Sequence, residues 1–132
     1  MTHIFVVAYI KFGLIIAPDS IGNATGTLYW DDGESYDSIE SKRYNLHEFT
    51  FERVGLDSEL RMKVKLNRYN TVSTLKTIRL FDVKSRPTQI QVDAISIQTS
   101  LYTFNSANQV LDIDNLNLDL NKDHFIRIRF AL

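Results

Sequence analysis

Residues 60–66 read L-R-M-K-V-K-L, with apolar and cationic side chains in strict alternation. Successive side chains of a β-strand point to opposite faces, so this pattern predicts a strand with one face in a core and the other in solvent. Residues 46–52, L-H-E-F-T-F-E, alternate in the same way and place Phe49 and Phe51 on one face. Both segments therefore predict half-buried β-strands.

The other apolar segments are also typical of strands, and helical periodicity is nowhere sustained over three turns. Residues 4–17 form the most apolar stretch, which Lys11 and Gly13 interrupt. The interruption predicts two buried strands, because a signal peptide or a membrane helix needs an unbroken apolar run. A targeting segment is the alternative. Further along, the apolar phase flips near residues 94–95, which predicts a β-bulge there.

The amino-acid composition agrees with a β protein, since the 132 residues include thirteen Ile, eight Val and ten Thr but only six Ala. β-branched side chains suit a pleated surface better than a helix. An apolar content of 44% and a net charge of −1 exclude a disordered chain and a nucleic-acid binder that relies on bulk positive charge. The absence of cysteine excludes a disulfide scaffold and a thiolate site. We predict an all-β fold, an antiparallel β-sandwich of about eight strands, with two small β lobes as a variant.

A change in composition between residues 53 and 58 indicates a boundary between two lobes. The chain before it is rich in aromatic and acidic residues, and the chain after it begins with cationic alternating segments. We therefore assign residues 1–53 to one lobe and residues 54–132 to the other.

Few residues lie in patterns that carry chemistry. The three histidines, His3, His47 and His124, are too far apart for a local metal-binding motif, and the sequence has no phosphate-binding glycine loop and no nucleophile motif. We expect no catalytic residue, no metal site and no cofactor. His47 and His124 are in phase with apolar neighbours, which places them in the core or at a sheet edge. A row of cationic side chains fits a solvated strand face, with anion binding as the alternative. The row contains Arg61, Lys63, Lys65 and Arg68, to which Arg127 and Arg129 can be added.

One acidic and aromatic cluster is a candidate binding site. It contains five residues around a predicted hairpin tip: Trp30, Asp31, Asp32, Glu34 and Tyr36. Carboxylates bind cations or sugar hydroxyls and aromatic rings stack on sugars, so these residues are candidate contacts for a sugar or a cation. The alternative is that the acids lie in solvent and the aromatic rings lie in the core.

The sequence contains one N-glycosylation sequon, Asn23-Ala24-Thr25. It follows a cluster of turn-forming residues and precedes a predicted strand, which is the surface position such a site requires. Asn23 is therefore a candidate glycosylation site.

Residues 12–37 read F-G-L-I-I-A-P-D-S-I-G-N-A-T-G-T-L-Y-W-D-D-G-E-S-Y-D. This stretch resembles the end of the first C-terminal β-domain of family-31 glycoside hydrolases, the family of the α-glucosidases, maltase-glucoamylase and sucrase-isomaltase. The family pattern is small-G-x-L-(Y/F)-W-D-D-G-E-S-x-D. The chain matches it from its glycine onward at residues 26–37, with the small residue Ala24 two positions before that glycine. The family usually continues with an aromatic residue and a Phe-bearing strand, which Tyr44, Phe49 and Phe51 supply. Lys42-Arg43 replaces a glycine that is common in the family.

The resemblance implies a module without catalytic residues. In the family the chemistry lies in a (β/α)₈ barrel of roughly 250 residues, and neither catalytic Asp segment is found in these 132 residues. The chain alone is therefore expected to be inactive, with residues 1–53 as the end of a proximal C-terminal β-domain and residues 54–132 as the distal β-sandwich. The alternative is a free-standing β-sandwich that binds carbohydrate or another protein.

The resemblance also implies partners and a location. The expected partner is an α-glucosidase catalytic barrel, in cis or in trans, with a weakly bound carbohydrate or a second copy at an exposed sheet edge as further candidates. Neither a nucleic acid nor a membrane span is expected. The family places the chain in carbohydrate metabolism and in a secretory, lysosomal or extracellular compartment, although this chain shows no signal-peptide pattern.

Overall fold

The computed structural model describes residues 3–8, 12–31, 44–67 and 74–131. These residues form twelve β-strands and one 3-10 turn, Thr99–Leu101, and they contain no α-helix. The strands in chain order are β1 His3–Ala8, β2 Phe12–Ala17, β3 Ala24–Asp31, β4 Tyr44–Val54, β5 Asp57–Asn67, β6 Thr74–Leu80, β7 Gln89–Val92, β8 Ile95–Ser96, β9 Tyr102–Asn105, β10 Val110–Ile113, β11 Leu118–Asp119 and β12 His124–Arg129.

The strands form two halves with separate hydrogen-bonded orders. One half runs β8-β7-β12-β5-β4-β3, and the other runs β1-β2-β6-β10-β9 with β11 beside β6. One parallel residue pair, His3 with Thr25, joins β1 to β3. The β2–β6 pairing is also parallel, and the other pairings among the described strands are antiparallel. The predicted all-β sandwich is confirmed, and its strand pairings are antiparallel as predicted apart from the two parallel ones.

One hydrophobic core draws on both halves. The alternation of β4 buries Phe49 and Phe51, which pair with the buried Met62 and Leu60 of β5. The other half contributes six buried aliphatic side chains from β2, β6 and β10: Leu14, Ile16, Ile78, Leu80, Leu111 and Ile113. The faces predicted for these residues of β4 and β5 are confirmed, because in both strands the side-chain period of two matches the apolar period.

Short strands explain why the described residues contain twelve strands and not about eight. Asp93 and Ala94 have φ values of 51° and 69°, and Val92 pairs with Ile95 across them. Two successive residues in the left-handed region form the tight turn of a hairpin. The β-bulge predicted at residues 94–95 is therefore wrong, because this turn reverses the chain between β7 and β8.

The apolar N-terminal stretch forms the β1–β2 hairpin, which confirms the prediction of two strands. Its pairing extends from His3 with Ala17 to Ala8 with Phe12. Because β2 also pairs with β6, this hairpin connects the β6 region to the rest of the sheet.

The predicted lobe boundary coincides with the turn between β4 and β5. These strands pair from Asn45 with Asn67 to Val54 with Asp57, and the core includes residues from both sides of the turn. The two segments therefore share one sheet and one core. Their assignment to two different lobes stays a prediction.

The approach of β1 to β3 requires a glycine. A Cβ built on Gly26 would lie 2.8 Å from Ile4 Cβ and closer still to the Ile4 carbonyl oxygen. That space does not accommodate a side chain, so a glycine is needed where the two backbones approach. Gly26 thus lies at the junction through which the two halves of the sheet are joined.

Candidate functional site

The predicted sugar or cation cluster begins at the end of β3. The backbones of Trp30 and Asp31 pair with those of Asn45 and Tyr44 on β4. The side chains of Trp30 and Asp31 lie outside the described part of the structure. Three members of the cluster lie wholly outside it: Asp32, Glu34 and Tyr36. A sugar or cation contact at these five residues stays a prediction.

Polar side chains replace apolar ones on the core face at this end of β4. Asn45 is fully buried, and its Nδ2 donates a hydrogen bond of 3.4 Å to Asn121 Oδ1. His47 is buried beside it, where the β4–β5 register shifts between Leu46 and His47. The prediction that His47 lies in the core is confirmed. Its neighbours on the same face of β4 are the polar Asn45 and the aromatic Phe49.

His124 contacts two different elements of the structure. Its Nδ1 lies 2.7 Å from Asp93 Oδ2, and its Nε2 lies 2.6 Å from the Asp119 carbonyl oxygen. Asp93 also accepts a hydrogen bond of 2.8 Å from the Phe125 backbone N–H. The imidazole therefore joins the β7–β8 turn to β11, in a structural role that uses both ring nitrogens.

Burial of His47 predicts a pH dependence of stability. Desolvation lowers the pKa of His47 from its usual value, and the nearby Asp119 carboxylate partly offsets this effect. The unfolded chain then binds the proton more readily, so we expect the free energy of unfolding to fall as the pH drops below about 6.5, the ordinary histidine pKa. Urea titrations at about pH 7.5 and about pH 5.5 measure the difference. A His47→Gln variant should lose this contribution, and an unchanged pH dependence in that variant would contradict the prediction.

Carboxylates on β4 and β5 contact the arginines on the outer face of β5 and β12. The buried Glu59 carboxylate accepts hydrogen bonds from Arg61 Nη2 at 3.0 Å and Arg127 Nη2 at 3.1 Å. Both guanidinium groups lie over the Phe125 ring, at 5.1 and 5.4 Å from its centroid. Arg61 also contacts Glu52 at 2.7 Å. Carboxylates thus pair with the arginines of this face, which favours a solvated strand face over an anion-binding site.

The candidate glycosylation residue Asn23 lies at the end of a compact turn. Its Oδ1 accepts a hydrogen bond of 3.2 Å from the Arg53 backbone N–H. Asp19 Oδ1 accepts hydrogen bonds from the backbone N–H groups of Ile21 and Asn23, at 3.0 and 2.9 Å. Asn23 is half-buried and Thr25 is exposed. This placement at a surface turn agrees with the sequence expectation, and the modification itself stays a prediction.

A groove lies at the end of the sandwich where the turn at residues 18–23 meets the β4–β5 turn. Its volume is about 220 Å³. We call it the turn-end groove and define it by its large apolar lining residues: Phe51, Leu56, Leu80, Phe81, Val83 and Phe130. Strand periodicity did not reveal this groove, because Leu56 and Phe81 lie in connections between strands. An apolar residue at a turn position, where polar residues are expected, is the signal that could have found it.

Neither a metal site nor a membrane helix is found in the part of the chain that the structure describes. No group of three or more metal-binding side chains comes together among those residues. They also contain no helix with the length and apolar character needed to cross a membrane.

Comparisons with known proteins give a consistent result. No family model matches the chain. Over 120 residues it is 38% identical to intestinal sucrase-isomaltase of Suncus murinus, and over 118 residues it is 29% identical to probable maltase-glucoamylase 2 of Homo sapiens. These alignments cover 87% and 89% of the chain. The fold matches that of a GH31 dextranase of Flavobacterium johnsoniae with a TM-score of 0.72, at 16% identity and over 91% of the chain.

The chain matches a small part of family-31 glycoside hydrolases. It spans 6% of the length of the sucrase-isomaltase, 5% of the maltase-glucoamylase and 17% of the dextranase chain. The resemblance to family 31 carried by residues 12–37 is confirmed. The match to the dextranase shows that the family-31 fold includes a β-structure of this kind.

Proposed function

We propose that the chain is a non-catalytic β-sandwich module of an α-glucosidase-like family-31 glycoside hydrolase, in which it supports a catalytic barrel. The observation that carries this proposal is the alignment of 87% of the chain with only 6% of a sucrase-isomaltase. The fold match, which occupies 17% of the dextranase chain, supports the same conclusion. A compact segment of this size within a large enzyme has the dimensions of an accessory domain.

The described architecture argues against catalysis by these residues. A (β/α)₈ barrel alternates strands with helices, whereas the described residues form twelve strands and no α-helix. Glycoside hydrolysis generally uses two carboxyl groups that flank the scissile bond. Among the described residues the buried acid is Glu59, whose carboxylate is held by Arg61 and Arg127 on the outer sheet face. That carboxylate is committed to ion pairs, so it supports the fold.

The two lobes of the family meet at the β4–β5 turn in this proposal, with residues 1–53 in the proximal lobe and residues 54–132 in the distal one. The change in composition between residues 53 and 58 supports this assignment. Because β4 and β5 pair along their length, the two segments are held in one sheet. A catalytic barrel, in cis or in trans, would therefore contact both segments as parts of the same sheet.

Grafting tests the proposed function. The full chain would replace the aligned 120-residue segment of Suncus murinus sucrase-isomaltase, and a second version of that enzyme would lack the segment altogether. We expect the graft to retain sucrase and isomaltase activities that the deletion loses. The physical reason is that the module covers apolar surface that the deletion would leave in water.

The isolated chain provides the second measurement. We expect no release of 4-nitrophenol from 4-nitrophenyl α-glucoside above the buffer rate. Turnover by the isolated chain would show that the module is itself an enzyme. A graft no more active than the deletion would show that the module does not support a catalytic domain of this family.

A further inference from the structure

Large apolar side chains are exposed at one end of the sandwich. Ile21 is 67% exposed in the turn after β2, Val54 and Leu56 are 48% and 47% exposed at the β4–β5 turn, and Phe81 is 39% exposed after β6. In the remainder of the described chain, Ile95 is the large apolar side chain with comparable exposure. Exposed apolar side chains that lie together mark interaction sites for proteins or membranes, or ligand-binding grooves.

These residues surround the turn-end groove. Leu56 and Phe81 line it directly, together with Phe130, which packs against the core. The neighbours of Ile21, Ser20 and Gly22, line it from the opposite side. The groove thus places the exposed Leu56 and Phe81 next to Phe130, and Ile21 and Val54 directly follow or precede residues that line it.

The charged groups of the groove have partners within the chain. Lys84 Nζ contacts Asp82 Oδ1 at 2.5 Å, and Arg53 Nε donates to the Gly55 carbonyl oxygen at 3.4 Å. Asp19 Oδ1 accepts the two backbone hydrogen bonds of the turn at residues 18–23. Asp19 and Asp82 carry two negative charges and Arg53 and Lys84 two positive ones, so the groove has little net charge with which to attract a strongly charged partner. Its apolar side chains are therefore the candidate contacts.

Both ends of the described chain lie beside this groove. His3 pairs with Ala17, which directly precedes the turn at residues 18–23. At the other end, Phe130 and Ala131 follow β12 and line the groove. The sucrase-isomaltase aligns with this chain over only 6% of its own length, so the rest of such an enzyme must continue from one or both ends of the module. In such an enzyme, the continuing chain would therefore begin next to the turn-end groove.

We infer that the turn-end groove is the surface against which an apolar face of the catalytic domain packs, an inference that rests on the proposed function. The module would then be oriented with its turns toward the catalytic domain and with the β7–β8 hairpin away from it. Val54, Leu56 and Phe81 would lie at the centre of the interface, where truncation of side chains has the largest effect on binding.

The double variant Leu56→Asp with Phe81→Asp tests this surface, both in the isolated chain and in the graft described above. In the isolated chain we expect Tm to change by less than about 2 °C, because these side chains are exposed. In the graft we expect the half-life of enzyme activity at elevated temperature to shorten about tenfold, because charges are placed in an apolar contact. The matched control is Ile95→Asp, which should leave the half-life of the graft unchanged.

Two outcomes would overturn the inference: an unchanged half-life of the double-variant graft, and an equal loss with Ile95→Asp. If the Tm of the isolated double variant falls far enough to explain the loss in the graft, the graft with Ile21→Asp decides, since this side chain is 67% exposed. An unchanged half-life of the Ile21→Asp graft would then overturn the inference. A graft of the unsubstituted chain that shows no activity would overturn the proposed function as well. An active graft that is indifferent to the substitutions overturns the docking surface alone.

Discussion

Replacement of Phe49 by alanine is expected to lower the free energy of unfolding by about 4 kcal/mol. The Phe49 ring is fully buried and pairs across the sheet with Met62, so the substitution removes apolar contacts and leaves a cavity. Urea denaturation of the isolated chain, followed by circular dichroism, measures the change. The expected loss is a large part of the stability of a domain of this size.

Two matched variants separate this core effect from general sensitivity to mutation. Phe49→Leu keeps much of the volume and should cost less than about 1.5 kcal/mol. Ile95→Ala removes methyl groups from an exposed side chain and should change stability by less than about 0.5 kcal/mol. A loss below about 1 kcal/mol for Phe49→Ala would contradict the placement of this ring in the core.

Gly26→Ala should cost about 3 kcal/mol. The added methyl group would meet the backbone and Cβ of Ile4, and backbone atoms cannot rotate aside as the end of a side chain can. Gly55→Ala is the matched control, because Gly55 has a φ of 63° and no atom within 4 Å of an added Cβ. That control should lose only about 1 kcal/mol, from the left-handed backbone.

Urea titrations of the Gly26→Ala and Gly55→Ala variants show whether close packing or backbone conformation limits the residue at position 26. An equal loss for both variants would show that backbone conformation, and not the approach of β1 to β3, limits what position 26 accepts. If Gly26→Ala were harmless, the junction between the two halves of the sheet would need to lie elsewhere. Both Gly26 and Phe49 belong to the sequence features that resemble family 31. Close packing accounts for both residues.

The pattern of side chains along each strand was predictable because it depends on local geometry. The alternation around Phe49 and Leu60 identifies which side chains face the core, and the phase of His47 places it among them. The β7–β8 turn was not predictable in the same way. A phase flip at residues 94–95 fits a bulge or a reversal, and only the φ values of Asp93 and Ala94 distinguish them.

The candidate site was less predictable than the fold. The sequence indicates the acidic and aromatic residues near Trp30 as a candidate site because carboxylates and aromatic rings have known binding chemistry. It does not indicate the turn-end groove, because Ile21, Leu56 and Phe81 are single apolar residues in separate connections. They form a surface only when three connections distant in sequence meet at one end of the sandwich.

By itself the sequence determined that the protein is built of β-strands, which face of the longer strands is buried, and which family it resembles. These properties follow from side-chain identity and from the two-residue period of a strand, both of which are local. The tertiary structure alone decided that β2 lies parallel to β6, that β1 meets β3 at Gly26, and that the exposed apolar side chains share one end with both described chain ends. The reason is that strand pairing and turn proximity depend on contacts between distant segments, which the alternation of a single strand does not encode.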